Sequence, residues 1–440
     1  MSQIAADPLP PQQWDEAGEL RTYTRGPIPA NADMTPSRAG VIAVLLAALP
    51  MFGQIFHYMR DLMPLWALSK AFPILSLPLA LVVFRYPMAP MARQVMLSFL
   101  WLTIVPSFAS IFYFNQDFFT GLTAQVKLLP MLYFFSFLGL LLMLQPTLRE
   151  LQTGFLLCGL ITFASLVILW AVIPQSWYNE HYPEGGGPLF SNDHRGNRIR
   201  LPMFFGIIAI FYYYRRFLRD PRLSSLLAVV AGIALAVTLV KFRAMTAGIL
   251  SVIVINTFFA TRGFLRYFIS GIALAAVLGL LAFGNIGAML SDSVSTGFDL
   301  RFATIMKASS FLGISAMRWL FGVGTISPTS SDSLSSFFDH FFFLADITWL
   351  GVIFEFGVIG AVLFLFYELR GLLLYERALR PQIDSHFLGS LRDYLLYVLL
   401  ISNLYPPTLT PGETAVILAI FAYVWLWLQQ HGSDWPKEAA

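Results

Sequence analysis

Three charged segments lie between long apolar blocks of this 440-residue chain. The first, at about 174–200, contains Arg195, Arg198 and Arg200; the second is the short sequence Lys241-Phe242-Arg243; the third, at about 285–346, contains Arg301, Asp339, His340 and Asp346. Arginine is always charged, and its guanidinium can donate two parallel hydrogen bonds to one phosphate group. The segments therefore predict a site for an anion such as a phosphate group.

Arg243 has the most constrained position of these cations. Apolar blocks flank it on both sides with almost no loop between them, so we expect its side chain at the depth of the lipid headgroups. A cation held there is costly unless it meets an anion. The candidate anion-binding residues are Arg243, Arg195, Arg198, Arg200, Lys241 and Arg301. Interfacial arginines also extend to lipid phosphates, and for Arg301, Lys307 or Arg318 taken singly we favour that simpler role.

Acid–base groups occur in and after the third segment. Asp339 and His340 precede an apolar block by a few residues, and Asp346 stands at its start. Each side chain type can take a proton from a hydroxyl group, although His340 also suits a helix end and Asp346 an N-cap. Glu355 lies inside the same block and Glu413 at the start of the last one. Intramembrane carboxylates are functional candidates, and Glu355 could equally pair with a buried base or hydroxyl.

Several chemistries have no sequence support. There is no phosphate-binding glycine loop, no His-Glu-x-x-His sequence and no Asp-x-Asp pair, so we predict a protein without metal or cofactor. The single cysteine, Cys158, excludes an internal disulfide. A net charge of +3 gives no reason to expect nucleic acid as a partner.

The elements that position these residues must be membrane helices. The chain is 57% hydrophobic and 12% charged, its apolar residues form blocks of roughly 18 or more, and open sheets cannot cross lipid. We predict an all-α polytopic bundle of about 12 spans. The predicted blocks lie at about 40–59, 64–84, 95–114, 125–145, 153–173, 201–214, 224–240, 244–261, 265–284, 347–368, 391–405 and 412–429. Residues 1–38 form a polar tail, and 39–440 form one transmembrane domain.

Lysine and arginine set the orientation of these spans. Every even-numbered connection is basic, as is typical of cytoplasmic loops. We therefore place both termini in the cytoplasm of a bacterial cell, the protein in the inner membrane, and the segments at about 174–200, 241–243 and 285–346 together on the periplasmic side.

Two glycine-containing motifs resemble those of the O-antigen polymerase and O-antigen ligase superfamily. Glu355-Phe-Gly357-Val-Ile-Gly360 is similar to the family's C-terminal signature, and Trp319-Leu-Phe-Gly322-Val-Gly324 to an element before it. Arg301 precedes that element as an arginine does in the family. The Lys241–Gly248 sequence resembles the family's Ser-Arg-Gly turn, with Phe242 in place of Ser. The match runs in order through about 190–365.

The resemblance implies a C-type glycosyltransferase architecture and a metal-independent, inverting transfer. The donor would be an undecaprenyl-diphosphate-linked glycan, and Asp346 or His340 the base. Asp346-Ile347 stands where many members have His-Asn, which leaves the choice of base open. We expect a polymerase that joins repeat units into O-antigen or exopolysaccharide. Its partners would be a glycan acceptor, membrane lipid and a chain-length regulator. The alternatives are a ligase with a lipid A-core acceptor and, from another class, a lipid-linked oligosaccharide flippase or secondary transporter.

Overall fold

The computed structural model describes residues 38–56, 59, 62–180, 189–193, 196–260, 267, 268, 271, 275, 293–327, 330, 333–338, 342–402 and 411–431. Arg195, Asp339 and His340 lie outside these residues, as do most of the predicted span at 265–284 and almost all of the polar tail.

The described chain is an all-α bundle with one small sheet. Its α-helices are α1 (Ala39–Phe52), α2 (Met63–Leu75), α3 (Leu77–Ala80), α4 (Ala92–Phe114), α5 (Phe118–Ala124), α6 (Tyr133–Leu144), α7 (Leu148–Val172), α8 (Phe204–Arg219), α9 (Leu223–Leu235), α10 (Arg243–Ala260), α11 (Ser293–Leu312), α12 (Ala316–Phe321), α13 (Leu334–Phe337), α14 (Thr348–Leu374), α15 (His386–Ile401) and α16 (Pro411–His431). Strands β1 (Asn179–Glu180), β2 (Phe190–Asp193) and β3 (Gly196–Ile199) form the sheet.

The predicted membrane architecture is confirmed, whereas the number of spans stays a prediction. Among the described residues, eight helical stretches are long and apolar enough to cross a bilayer: Met63–Arg85, Ala92–Phe114, Phe118–Leu144, Leu148–Val172, Leu223–Val240, Arg243–Ala260, Thr348–Leu379 and Pro411–Gln430. Helix α1 is apolar but shorter, and α8 and α15 have 16 residues each. The multi-pass membrane class follows directly from these lengths.

Helix α16 forms the centre of the bundle. In its most apolar stretch of 18 residues, 94% of the residues are buried inside the protein, compared with 22% in the equivalent stretch that contains α2. It packs against α6 and the 3₁₀ turn Gln125–Leu132, and its Tyr423 hydroxyl donates to the carbonyl oxygen of Pro146 at 2.9 Å. The outer helices present their apolar residues away from this core, as expected of a bundle surrounded by lipid.

The first turn of α7 joins the start of the described chain to the bundle. Thr147 and Glu150 form a reciprocal capping box, which satisfies backbone N–H groups at the helix start. The buried Glu150 carboxylate also accepts hydrogen bonds from the guanidinium of Arg38 at 3.1 and 3.3 Å. The boundary predicted between tail and domain therefore coincides with an ion pair that holds α1 against α7.

Candidate functional site

A pair of antiparallel β-strands, which we call the hairpin, lies in the first charged segment. Strands β2 and β3 pair antiparallel, with Ser191 opposite Arg198, and β1 adds to β2 in parallel. Gly196, at the start of β3, has a φ of +76°, a conformation that glycine adopts without a steric penalty. The hairpin packs against α7 and the π-helical turn Ala236–Val240.

Lys241 brings the second segment to this hairpin. The residue has a left-handed backbone with φ 54°, ψ 32°, and its N–H donates to the carbonyl oxygen of Ala236 at 3.0 Å. A left-handed conformation costs about 1–2 kcal/mol in a residue with a Cβ. The Lys241 Nζ would lie 3.4 Å from a Cβ placed on Gly196. The first and second segments therefore come together, as the sequence predicted.

A cavity of about 430 Å³ lies where these elements meet. Its walls include Trp170, Gln175, Tyr178, Asn197, Thr238 and Lys241. Partial burial raises the pKa of the Tyr178 phenol, so this hydroxyl stays protonated and can donate a hydrogen bond at neutral pH. The volume is within the range of small-molecule sites, roughly 300–1,000 Å³.

Arg198 and Arg200 share one hydrogen-bond acceptor, the Ser191 hydroxyl. Side chains alternate between the two faces of a strand, so Arg198 lies on the same face of β3 as Gly196, the position that Lys241 Nζ approaches. Arg198 Nε donates to the Ser191 hydroxyl at 3.0 Å, and Arg200 Nε donates to the same oxygen at 3.1 Å. The prediction that these arginines act on the same anion as Lys241 stays a prediction.

Arg243 and Arg301 occupy exposed positions on separate helices. Arg243 is the first residue of α10, after a connection of only two residues, and its side chain is exposed. This agrees with the predicted tight turn. Arg301 is exposed on α11. Arg318 instead donates to the carbonyl oxygen of Phe311 at 2.5 Å and lies 5.0 Å from the ring centroid of Tyr113, so its role is structural.

The two glycine motifs form a second centre in the protein. Helix α14 breaks at Gly357, whose φ of 71° and ψ of 177° are not helical. A helix leaves its last carbonyl groups without intrahelical partners. Here the N–H of Val323 donates to the carbonyl oxygen of Phe354 at 2.8 Å, and that of Gly324 to the carbonyl oxygen of Glu355 at 3.1 Å. The Trp319–Gly324 motif thus supplies the hydrogen bonds that the broken helix lacks.

The glycines permit this backbone contact. A Cβ on Gly357 would lie 2.1 Å from the carbonyl oxygen of Leu320, and one on Gly322 would lie 2.5 Å from that of Glu355. Gly322 and Gly324 also have positive φ values of 76° and 77°. Side chains at these positions would push the two motifs apart.

Glu355 is held in a buried ion pair at this break. Its carboxylate is bound by Lys127 Nζ at 2.6 and 2.7 Å and by Gln125 Nε2 at 3.1 Å. The Glu355 side chain is 6% exposed and that of Lys127 33% exposed. The interpretation of Glu355 as one half of a buried pair agrees with this contact. Lys127 was not among the candidate residues, although a lone lysine within an apolar block is itself a signal.

Buried polar contacts hold residues 322–327, which begin within the Trp319–Gly324 motif. All six residues are buried. The Gln116 side chain donates to the carbonyl oxygen of Thr325 at 3.0 Å and accepts from the N–H of Ser327 at 2.9 Å. The hydroxyls of Thr123 and Ser327 are 2.6 Å apart. These contacts replace the backbone pairing that an extended segment inside a bundle would otherwise lack.

Asp346 lies two residues before Thr348, the first residue of α14. It belongs to the 3₁₀ turn Leu344–Ile347, and the N-cap position of α14 is Ile347, which makes no side-chain cap hydrogen bond. The N-cap interpretation of Asp346 is therefore wrong by one residue. The turn packs against α11 and α14, beside an aromatic cluster that includes Phe311, Phe338 and Phe354.

Further buried charges lie on α14, α15 and α16. The Tyr394 hydroxyl donates to the Glu413 carboxylate in the first turn of α16. Glu368 is 3% exposed, and one of its carboxylate oxygens has no hydrogen-bond partner. Arg215 binds the buried Asp393 through two hydrogen bonds of 2.5 and 2.8 Å. Buried ionisable groups of the described bundle are therefore found on several helices besides those of the cavity.

The described residues contain no group of three or more His, Cys, Asp or Glu side chains that could hold a metal ion. One cation among these residues, Lys241, lines the cavity, and metal independence stays a prediction. No family model matches this chain, and no curated protein matches it significantly.

Proposed function

We propose that this chain is a glycosyltransferase that polymerises undecaprenyl-diphosphate-linked repeat units at the periplasmic face of the bacterial inner membrane. The observation that carries the proposal is the contact between the two motifs on which the family resemblance rests. They are about 30 residues apart, yet they bond backbone to backbone at Phe354 and Glu355. This contact supports the idea that the two motifs work as one unit.

The proposed reaction is a single displacement at the anomeric carbon of the donor. An acceptor hydroxyl forms the new glycosidic bond, the bond to the diphosphate breaks, and the acceptor proton passes to Asp346 or His340. Attack opposite the leaving group inverts the anomeric centre. Undecaprenyl diphosphate departs with the bonding electron pair.

Cations at the outer ends of α9 and α10 would stabilise that leaving group. Lys241 lines the cavity, and Arg243 begins the next helix two residues later. A donor aimed at charge that develops in the transition state is worth on the order of 3 kcal/mol. Both cations would act at headgroup depth, where the diphosphate of a lipid-linked donor also lies.

A flippase or transporter is the second candidate function. The buried carboxylates of Glu368 and Glu413 favour it, because ionisable groups within spans often mark a transport or proton pathway. The polymerase is preferred because it gives all three charged segments a role. The cavity is lined by residues of the first and second segments, and the motif contact involves Val323 and Gly324 of the third.

The glycans of a deletion strain test the proposal. Loss of the polymerase leaves single repeat units on lipid A-core or on undecaprenyl diphosphate in the outer leaflet. Free lipid-linked polymer would instead indicate a lost ligase, and repeat units retained in the inner leaflet a lost flippase. Polymer of normal length in the deletion strain would contradict all three functions.

A further inference from the structure

The cavity beside the hairpin offers the chemistry of a sugar-binding site. Its described lining combines the ring systems of Trp170 and Tyr178 with the amides of Gln175 and Asn197 and the ammonium of Lys241. Each amide both donates and accepts, which suits paired sugar hydroxyls. Aromatic faces carry partial negative charge and attract the polarised C–H groups of a sugar ring.

The depth of the cavity matches a ligand that is part lipid and part sugar. Helix α7 starts at Leu148 beside the cytoplasmic loop and contains Trp170 near its other end. The rise of 1.5 Å per residue places Trp170 about 33 Å from that start. Since the hydrocarbon core is about 30 Å thick, the cavity opens at the outer interface, where the headgroup of a polyprenyl lipid leaves the membrane.

Lys241 has a strained backbone at the edge of this cavity. Its left-handed conformation and the hydrogen bond from its N–H to the carbonyl oxygen of Ala236 set the direction of its Cα–Cβ bond. Glycine or asparagine adopts this conformation more easily, so the strain is retained with a charged side chain. Strained residues of this kind cluster at binding sites. Lysine is an established phosphate-binding residue.

From the cavity and its lining we infer a binding subsite for the sugar that is joined directly to the diphosphate of the lipid-linked donor. The sugar ring lies between Trp170 and Asn197, and Lys241 contacts the adjacent phosphate. This inference rests on the proposed function for the identity of the donor.

Photo-crosslinking in living cells tests this subsite with the native donor. p-Benzoylphenylalanine replaces Thr238, an exposed residue at the cavity, or Val230, an exposed position on the same helix outside the cavity. We expect a mass adduct of glycan plus undecaprenyl diphosphate at position 238 and ordinary phospholipid alone at 230. Phospholipid alone at both positions, or no adduct at 238, would overturn the subsite.

A second variant separates sugar contact from mere proximity. Asn197→Ala in the crosslinking protein should lower the glycan adduct by about threefold to tenfold, the usual worth of one or two hydrogen bonds. Gln382→Ala, which removes an exposed amide elsewhere, should leave the yield unchanged. An unchanged yield in Asn197→Ala, with normal gel-filtration behaviour, would refute the sugar contact.

The polymer made by the same cells distinguishes the two ideas. Polymer that depends on this protein without a glycan adduct would remove the subsite and leave the proposed function intact. A glycan adduct in cells whose polymer does not depend on the protein would reject the polymerase function and retain the binding site.

Discussion

The ion pair between Lys127 and Glu355 allows a quantitative test of the helix break. Lys127→Met would leave the Glu355 carboxylate, a residue that is 4% exposed, with Gln125 as its remaining described partner. Breaking a buried pair from one side costs about 3–5 kcal/mol. Glu355→Gln would leave an ammonium group that is one-third exposed. Solvent screening reduces that cost to about 1–2 kcal/mol. We therefore expect the lysine variant to be the less stable of the two.

The double variant Lys127→Met/Glu355→Gln supplies the decisive comparison. Because it leaves no isolated buried charge, we expect it to be more stable than the sum of the single changes by about 1–3 kcal/mol. Equilibrium unfolding of the purified protein in mixed detergent micelles, followed by tryptophan fluorescence, measures each free energy. The exposed pair Arg219–Asp384, with an N–O distance of 2.9 Å, serves as control and should show no coupling. Effects of Lys127 and Glu355 that add within about 0.5 kcal/mol would refute the reasoning.

Three further outcomes are expected. Gly357→Ala should destabilise the protein by about 1–3 kcal/mol in the same unfolding assay, because the new Cβ meets the carbonyl of Leu320. Gly40→Ala is the control and should be harmless, since nothing lies within 4 Å of a Cβ there. Equal stabilities of the two variants would argue against the motif contact. Arg243→Lys and Arg243→Ala should both abolish polymer formation while the protein remains inserted in the membrane. The lysine variant should fail because lysine cannot give two parallel bonds to one phosphate. Near-normal activity of the lysine variant would make Arg243 an interfacial anchor. Transfer by the purified protein should persist in excess EDTA, and activity lost to EDTA and restored by magnesium or manganese would count against a metal-independent mechanism.

The membrane architecture could be predicted because it depends on composition over whole spans. Blocks of apolar residues specify helices in lipid whatever their partners are. The approach of Lys241 to the first charged segment could also be predicted, since both lie at the same ends of neighbouring spans. The shortness of the 241–243 turn leaves the chain little choice there.

Contacts between distant residues could not be predicted in this way. Lys127 and Glu355 are 228 residues apart, and no local pattern pairs them. The faces of β3 depend on the register that sets Ser191 opposite Arg198, and a shift of one residue would reverse them. The sequence of a charged loop does not reveal that register, so the shared contact of Arg198 and Arg200 with the Ser191 hydroxyl could not be predicted.

Chain growth by the purified protein tests the central claim most directly. The protein is reconstituted in lipid nanodiscs and given undecaprenyl-diphosphate-linked repeat units extracted from the deletion strain, and the products are resolved by mass spectrometry. We predict lipid-linked glycans of two or more repeat units together with one released undecaprenyl diphosphate for each bond formed. Repeat units that remain single after incubation with the folded wild-type protein would contradict the polymerase function.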